Sequence, residues 1–468
     1  MDFSFNHVQS QIKEGTLDLS RVVHYFLSNL QQHAKLNAFV EVYANEALTK
    51  ADSLHKQWEQ SGVMPPFMGL IVTVKDLIAH KDHALTAASG LLQGYVSPFS
   101  ATVIERLEQA GAIVLGRTNC DEFGMGSTGE NSFYGPTFNA LDPQYVAGGS
   151  SSGAATTVAA NMCHLALGTD TGGSVRQPAA FQGVYGFKPT YGRLSRWGVV
   201  AYASSFDQVG LLAHDPLLMA QVMQLLARPD ERDLHTSRWQ SFQKLGSFPE
   251  NPRVAIDKEL FQKPFVAGSH AILWHHFFRR TQSSHFRSIS LPSMEEAIAL
   301  FHILAPCEAA SNLNRYDGIR YGITGVGDNF SQVITDNRTK GFGREVKRRI
   351  LTGNYFLTAS PSGMSYEQAV VKRQELMTVY EKLFSEVDFI LLPTTYSGAF
   401  KPGDRGHNVL EAFREDRLLV IANILGCPAI SVPIFVEKVK FPLGLQIMAA
   451  PGKDEELLDF AARATDFF

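Results

Sequence analysis

Apolar positions recur at three- and four-residue spacing through residues 1–65. The run "NAFVEVYANEALTKADSLHKQWEQ" (Asn37 to Gln60) shows it most plainly, and the spacing predicts a helical opening stretch. The pattern then changes. "MGLIVTVKD" is β-branched and apolar, which predicts a buried strand ending at Lys75. "SATVIERLEQAGAIVLGRTN" predicts a helix with an apolar stripe of Val103, Ile104, Leu107 and Ala110. Ser100 or Thr102 is its expected cap, Gly111 its stop, and Ala112–Leu115 the strand that follows. Strand, helix and strand in that order predict an α/β sheet. "VDFILLPTT" and "PAISVPIF" read as further buried strands that return the C-terminal part to the same sheet.

Residues 140–215 differ in kind. Nine glycines fall between Gly148 and Gly192, and a glycine-rich loop of that length inside a compact domain costs too much ordering entropy to be idle. Residues 216–330 return to helix-like patterns with shorter strands. We expect a single domain in four parts: helical 1–65, a core at 66–215, a variable part at 216–330, and 331–468 rejoining the sheet.

Composition narrows the class. The chain has 468 residues, 45% hydrophobic and 19% charged, as expected of a soluble globular protein with an ample core. No run reaches the ~18 apolar residues of a membrane span, and "MDFSFNHVQSQIKEG" lacks the basic and apolar regions of a secretory leader. A net charge of −4 predicts no broad nucleic-acid surface, so any RNA is held by a partner. Cys120, Cys163, Cys307 and Cys427 lie far apart and read as reduced, buried thiols.

Several short motifs compete. "GMGSTG" (Gly124 to Gly129) fits GxGxxG, but neither a strand directly before it nor a helix on its last glycine supports a dinucleotide site. SxxK occurs at Ser10–Lys13 and Ser241–Lys244, without the companion motifs of β-lactamases. "GSSSG" makes Ser151 a candidate elbow nucleophile, yet "LDPQYVAG" before it is a poor strand; a flexible linker is the other reading of "VAGGSSSGAA". "GTDTGGSVRQP" is more informative. Consecutive amides of Thr171, Gly172, Gly173 and Ser174 can form an anion-binding turn, which would give an activated Ser174 its own oxyanion hole. A glycine turn with a capping serine is the alternative.

Longer blocks carry a resemblance. "GGSS", "GTDTGGSVRQPAAFQGVYGFKPTYGR", "GRTNCDEFGMGST", "SRWGVVAYASSFDQVG", "NLNRYDGIRYG", "GFGREVKRRILTGNYFL" and "PLGLQIM" occur in the order found in the amidase signature family, over almost the whole chain. The resemblance implies a large central mixed β-sheet flanked by helices on both faces. It also implies a Ser–cis-Ser–Lys triad: Ser174 as nucleophile, Ser150 as bridging serine after a cis peptide, and Lys75 as base. A serine hydroxyl needs a neighbour to accept its proton, and Lys75 can do so only when neutral, a state that burial favours. Within the family the blocks resemble the glutamine-hydrolysing A subunits of tRNA-dependent amidotransferases. That implies a heterotrimer with B and C subunits and tRNA held through the B subunit. Glutamine is then the substrate and ammonia the product. No GxxxxGK[ST] occurs, so ATP and Mg are expected on the partner and no cofactor on this chain. A bacterial cytoplasm is the simplest location, with an organelle open. A stand-alone amidase and an inactive scaffold remain the competing readings.

By the same resemblance Arg349 and Asp416 would hold the α-carboxylate and α-ammonium of glutamine; solvated helix charges are the alternative. Two departures stand out. "GGSSSGA" places Ser152 and Ala154 where the family has glycine and serine, and Phe301 and His302 replace a tyrosine pair ahead of "NLNRYDG".

Overall fold

The computed structural model describes residues 3–246, 251–257, 260, 286–292, 294–358, 365–404, 416–437 and 439–467. Part of the variable stretch expected at 216–330 therefore lies outside the described residues.

The opening stretch is helical at α1 (Phe5–Lys13), α2 (Leu19–Gln32) and α3 (Ala44–Ser61), but not throughout. Phe39–Val42, expected as helix, is strand β1. Its apolar and β-branched residues pair antiparallel with β3 (Ile113–Thr118), and a ladder partner outweighs a weak local preference for helix. β2 (Ile71–Lys75) and β3 run parallel, with α4 (Thr102–Gln109) between them. Gly111 follows α4 at φ 95°, as a helix stop requires. The expected side-chain cap is absent, because Ser100 Oγ accepts from the Lys81 amide and Thr102 donates to Asp230.

The remaining strands are β4 (Leu165–Thr169), β5 (Tyr185–Lys188), β6 (Val209–Ala213), β7 (Val254–Asp257), β8 (Phe286–Ile289), β9 (Phe389–Pro393), β10 (Ala429–Ile434) and β11 (Leu443–Ala449). Among the described residues they form one mixed sheet of eleven strands, ordered β1-β3-β2-β4-β6-β5-β10-β11-β9-β7-β8. β9 and β10 are the two C-terminal strands read from the sequence, and both rejoin this sheet. The fold is α/β, with α5 (Ser152–Ala159), α6 (Arg176–Gln182), α7 (Pro216–Leu226), α8 (Met294–Asn312), α9 (Phe330–Gly341), α10 (Arg344–Thr358), α11 (Tyr366–Glu386), α12 (Val420–Ile424) and α13 (Asp454–Phe467) in the later part of the chain.

One register feature sets the site. β2 and β4 are parallel neighbours, with Val74 opposite Leu167, so Lys75 and Thr169 are the last residues of adjacent strands. Carboxyl ends of parallel strands are where open α/β sheets place their ligands.

Candidate active site

Lys75 is fully buried at the end of β2 and donates to three hydroxyls: Ser150 Oγ at 2.8 Å, Thr169 Oγ1 at 2.9 Å and Ser151 Oγ at 3.0 Å. Burial pushes its pKa down to about 8, against the pull of Cys120, Asp121, Asp170 and Asp207. The hydroxyls are not equivalent. Ser151 Oγ donates to the Thr169 carbonyl at 3.1 Å and accepts from the Thr169 amide at 3.3 Å, so it can only accept from Lys75. A neutral lysine has two N–H groups and one lone pair. When Ser151 and Thr169 take the N–H groups, the lone pair faces the O–H of Ser150.

The loop carrying Ser150 is tightly constrained. The Gly149–Ser150 peptide is cis. A Cβ at Gly149 would lie 2.1 Å from Asp121 Oδ2, so only glycine fits. The Asp121 amide donates to the Ser150 carbonyl at 3.2 Å, and its carboxylate accepts from the amides of Gly129 and Asn131. Ser152, the extra side chain, opens α5 and donates to Thr137 at 3.2 Å; Ala154 is wholly buried in the core. Neither departure touches the lysine.

Ser174 is 9% exposed, on the turn between β4 and α6, and its carbonyl accepts from the Ser151 amide at 3.0 Å. Beneath the turn lies Asp170, which accepts from the amides of Gly173 (2.8 Å) and Val175 (3.2 Å) and pairs with Arg176 at 2.9 Å. Arg176 in turn reaches Asn423, Gln446 and the Leu419 carbonyl. Arg176 and its neighbours hold the Asp170 carboxyl well below the usual range despite its burial. The amide of Gly173 is thus committed inward. The four-donor oxyanion turn expected from the sequence narrows to Thr171, Gly172 and Ser174, whose amides meet no acceptor among the described residues. Gly173 keeps a conformational role: φ is 115°, and a Cβ would lie 2.6 Å from Leu419.

Arg349 and Asp416 are not solvated helix charges, since their side chains are 14% and 15% exposed. Arg349, on α10, donates to Glu345 at 2.7 Å and to the Tyr202 hydroxyl, leaving Nη2 open among the described residues. Tyr202 and Glu345 both favour its charge. Its link to the Ser174 turn runs through Asp207, which accepts from the amides of Tyr202 (2.9 Å) and Ala203 (3.1 Å) and from Thr171 Oγ1 (2.7 Å). Asp416 accepts at its carbonyl from the amide of Leu419, whose side chain covers Gly173. Both residues are thus connected to the turn that carries Ser174, Arg349 through Tyr202 and Asp207 and Asp416 through Leu419.

The sequence singles out Ser151 only as a candidate elbow nucleophile, not as a partner of the lysine, and does not single out Thr169, Asp170, Asp207 or Tyr202 at all. Thr169 has a usable signal, because it ends a strand that the α/β order places parallel to β2. Asp207 has none, as only the fold brings it under Thr171. All four cysteines are free and buried.

Comparison with known proteins adds to this geometry. A family model described as Amidase matches residues 21–458. The A subunit of glutamyl-tRNA(Gln) amidotransferase from Thermus thermophilus is 41% identical over 458 residues, covering 97% of this chain and 94% of its own. Its counterpart of the same name from Chlorobium chlorochromatii is 40% identical, covering 98% of both. The crystal structure of the glutamyl-tRNA(Gln) amidotransferase A subunit from Thermotoga maritima superposes with a TM-score of 0.78 at 29% identity, over 99% of this chain and 95% of that one.

Proposed function

The chain belongs to the amidase family, and from that premise we propose that it is the glutamine-hydrolysing subunit of a tRNA-dependent amidotransferase, supplying ammonia to amidate Glu-tRNA(Gln) or Asp-tRNA(Asn). One observation carries the reading to the chemistry. A fully buried lysine contacts three hydroxyls, of which Ser151 can only accept while Ser150 and Thr169 keep a proton to donate, next to a turn that presents Ser174 and amides that meet no acceptor among the described residues.

Neutral Lys75 takes the proton of Ser150 as Ser150 takes that of Ser174, and Ser174 Oγ attacks the side-chain amide carbon of glutamine. The tetrahedral oxyanion is stabilised by the amides of Thr171, Gly172 and Ser174; one such donor is typically worth about 3 kcal/mol. Collapse breaks the C–N bond as the proton returns through Ser150 to the leaving nitrogen. Ammonia departs and a γ-glutamyl ester remains on Ser174. Water, deprotonated through the same relay, then releases glutamate. Arg349 holds the substrate α-carboxylate by its open N–H edge, and Asp416 holds the α-ammonium.

B and C subunits are the partners in this reading, with tRNA on the B subunit and ATP with Mg assigned to the partner. A bacterial cytoplasm accords with the bacterial relatives. No helix among the described residues is long and apolar enough to cross a membrane.

The test is reconstitution with B and C subunits, reading glutamate release and amidated tRNA together. Both are expected, and both are expected to vanish in Ser174→Ala. A chain that forms no complex yet cleaves varied amides is a stand-alone amidase. Unchanged ammonia release from Ser174→Ala and Lys75→Ala identifies a scaffold.

A further inference from the structure

Helix α10 begins without a side-chain cap of its own. Gly343 accepts its first helical bond, from the Lys347 amide at 3.1 Å, and so stands at the N-cap with no side chain to offer. Three residues on, where a glutamate or glutamine would reach back to the N-cap amide, the chain has Val346. Glu122 does that task from another part of the molecule. Its Oε2 accepts from the Gly343 amide at 2.8 Å, and its Oε1 accepts from Ser89 Oγ. Glu122 is 5% exposed, and a Cβ at Gly343 would lie 2.3 Å from Oε2, so the carboxylate meets bare backbone.

The main chain of Glu122 belongs to the loops around Ser150. Asp121, just before it, donates its amide to the Ser150 carbonyl at 3.2 Å, and a Cβ at Gly124, two residues on, would lie 3.6 Å from Ser150 Oγ. The backbone here is strained. Ala87, Ala88 and Phe123 have φ of 51°, 48° and 52°, the left-handed region that alanine and phenylalanine seldom adopt. Phe123 follows Glu122, Ala88 precedes Ser89, and the Phe123 amide donates to the Ala87 carbonyl at 2.9 Å. All three strained residues thus adjoin the Glu122–Ser89 contact, and such strain persists where surrounding structure over-determines it. Phe123 also packs edge-on at 5.6 Å against Phe342, between Gly341 and Gly343 at the α9–α10 junction.

We propose that Glu122 is a positioning residue for substrate binding: it ties the helix that carries Arg349 to the segment that holds Ser150, and so fixes the guanidinium relative to the reacting amide. The inference rests on the glutaminase reading above and deepens it. Among the described residues Glu122 makes no hydrogen bond to Lys75, Ser150 or the Ser174 turn, so it acts on the placement of α10. The Ser150 loop keeps its own support from Asp121.

The tie responds to pH. Burial pushes the Glu122 pKa up to about 7, while Ser89, the Gly343 amide and Lys347 favour the charge. Other charges on the surrounding elements are engaged elsewhere. Asp121 holds the amides of Gly129 and Asn131, Glu130 accepts from the Gly403 amide, and Glu345 pairs with Arg348 and Arg349. Lys340 pairs with Asp336, Arg338 donates to the carbonyls of Leu313 and Tyr316, and residues 84–104 carry no charge. Ionised, Glu122 accepts from both Gly343 and Ser89. Protonated, it donates to Ser89, whose own proton turns to the Gly341 carbonyl 3.4 Å away, and the anion at the start of α10 is lost.

The experiment uses the assembled complex, with kcat and KM for glutamine measured from about pH 6 to 9. Compared are wild type, Glu122→Gln, Glu122→Ala, Arg349→Ala and the Glu122→Ala/Arg349→Ala double variant. We expect Glu122→Ala to raise KM about tenfold at about pH 8 with kcat within about threefold. Glu122→Gln keeps an acceptor for Gly343 and a donor for Ser89, so its KM should stay within about threefold of wild type. Wild-type KM should climb to the Glu122→Gln value as pH falls through about 7, and KM of Glu122→Gln should be flat there. The double variant should bind glutamine no more weakly than Arg349→Ala alone. An unchanged KM in Glu122→Ala, a loss confined to kcat, or additive losses in the double variant would each overturn the proposal. So would a Glu122→Gln variant no better than the alanine, or a wild-type KM that ignores pH. Circular dichroism and complex assembly separate these outcomes from misfolding, and Glu122→Gln, nearly identical in shape, decides the matter if the alanine variant does not fold. A wild-type complex that fails to hydrolyse glutamine overturns the glutaminase reading itself. A wild type that succeeds beside a Glu122→Ala variant of unchanged KM overturns only the role of Glu122.

Discussion

The amide of Ser151 donates to the carbonyl of Ser174 at 3.0 Å, so the loop that carries Ser150, the proposed relay, and the turn that carries Ser174, the proposed nucleophile, are one hydrogen-bonded piece. Their side chains can keep a fixed mutual position through the reaction because the main chain, not a side chain, joins them. This relationship sets the first expectation. Ser174→Ala and Ser150→Ala should each lower glutamine hydrolysis by at least about a thousandfold, as members of a unit rather than additive contributors. Both should assemble with the partner subunits as wild type does. Single-turnover ammonia release is the readout, and a Ser150→Ala variant within tenfold of wild type would remove Ser150 from the relay.

The base must be neutral before Ser150 can give up its proton. With Lys75 held at about 8, activity should rise as pH increases through 8 and fall away below it, about tenfold per unit on the acid limb. The stability sign follows from the same shift. The unfolded chain binds this proton more tightly than the folded one, so between about pH 8 and the usual lysine range stability gains from Lys75 as pH rises. A kcat/KM profile that is flat from about pH 6 to 9 would count against Lys75 as the base.

Ser151 accepts from the lysine and gives its own proton to the Thr169 carbonyl, so we expect it to hold the lysine rather than to pass a proton. Ser151→Ala removes one lysine acceptor and the partner of the Thr169 carbonyl, at a stability cost of about 1–3 kcal/mol for the buried groups left unpaired. It should retain far more activity than Ser150→Ala, by about a hundredfold. Parallel melting curves and rate measurements distinguish the two serines; equal rate losses would show that Ser151 shares the relay.

Arg349 should act on binding. Arg349→Ala removes the open guanidinium edge and also the partner of Glu345 and Tyr202. Arg349→Lys keeps the charge but cannot reproduce the forked donor. Both should raise KM for glutamine, the alanine variant by about 10–100-fold, consistent with about 1.5–3 kcal/mol for a charge-assisted hydrogen bond. Unaltered KM in both would place the carboxylate elsewhere.

Gly149→Ala should fail for a steric reason. Its Cβ would sit 2.1 Å from Asp121 Oδ2, with the amides of Thr128 and Gly129 at 3.0 and 2.9 Å, so the loop has nowhere to move. Loss of soluble protein or of nearly all activity is expected; a folded and active alanine variant would show that the loop is looser than these contacts require.

Much of this was legible in the sequence because it lives in local pattern. β2 announces itself by its β-branched run and ends on Lys75, and the order of strand and helix gives the α/β class. Phe39–Val42 was not legible as a strand, since its pairing with β3 is decided some seventy residues away. The commitment of the Gly173 amide to Asp170 was equally hidden. A run of glycine amides reads as a row of free donors until the carboxylate beneath it is seen. Arg349 and Asp416 carry no local signal that separates a buried charge from a solvated one, and only the packing of α8, α10 and the turn before α12 decides it.

The Asp170–Arg176 pair has a further consequence for charge. A lone carboxylate under the Ser174 turn would hold the amides of Gly173 and Val175 and at the same time repel an oxyanion received by the proposed donors beside them, the amides of Thr171, Gly172 and Ser174. Arg176, buried on the far side of that carboxylate, makes the support electrically neutral as a whole while leaving its hydrogen bonds intact. The turn is thus scaffolded by an ion but presents to the substrate the field of a dipole, already oriented before any negative charge appears.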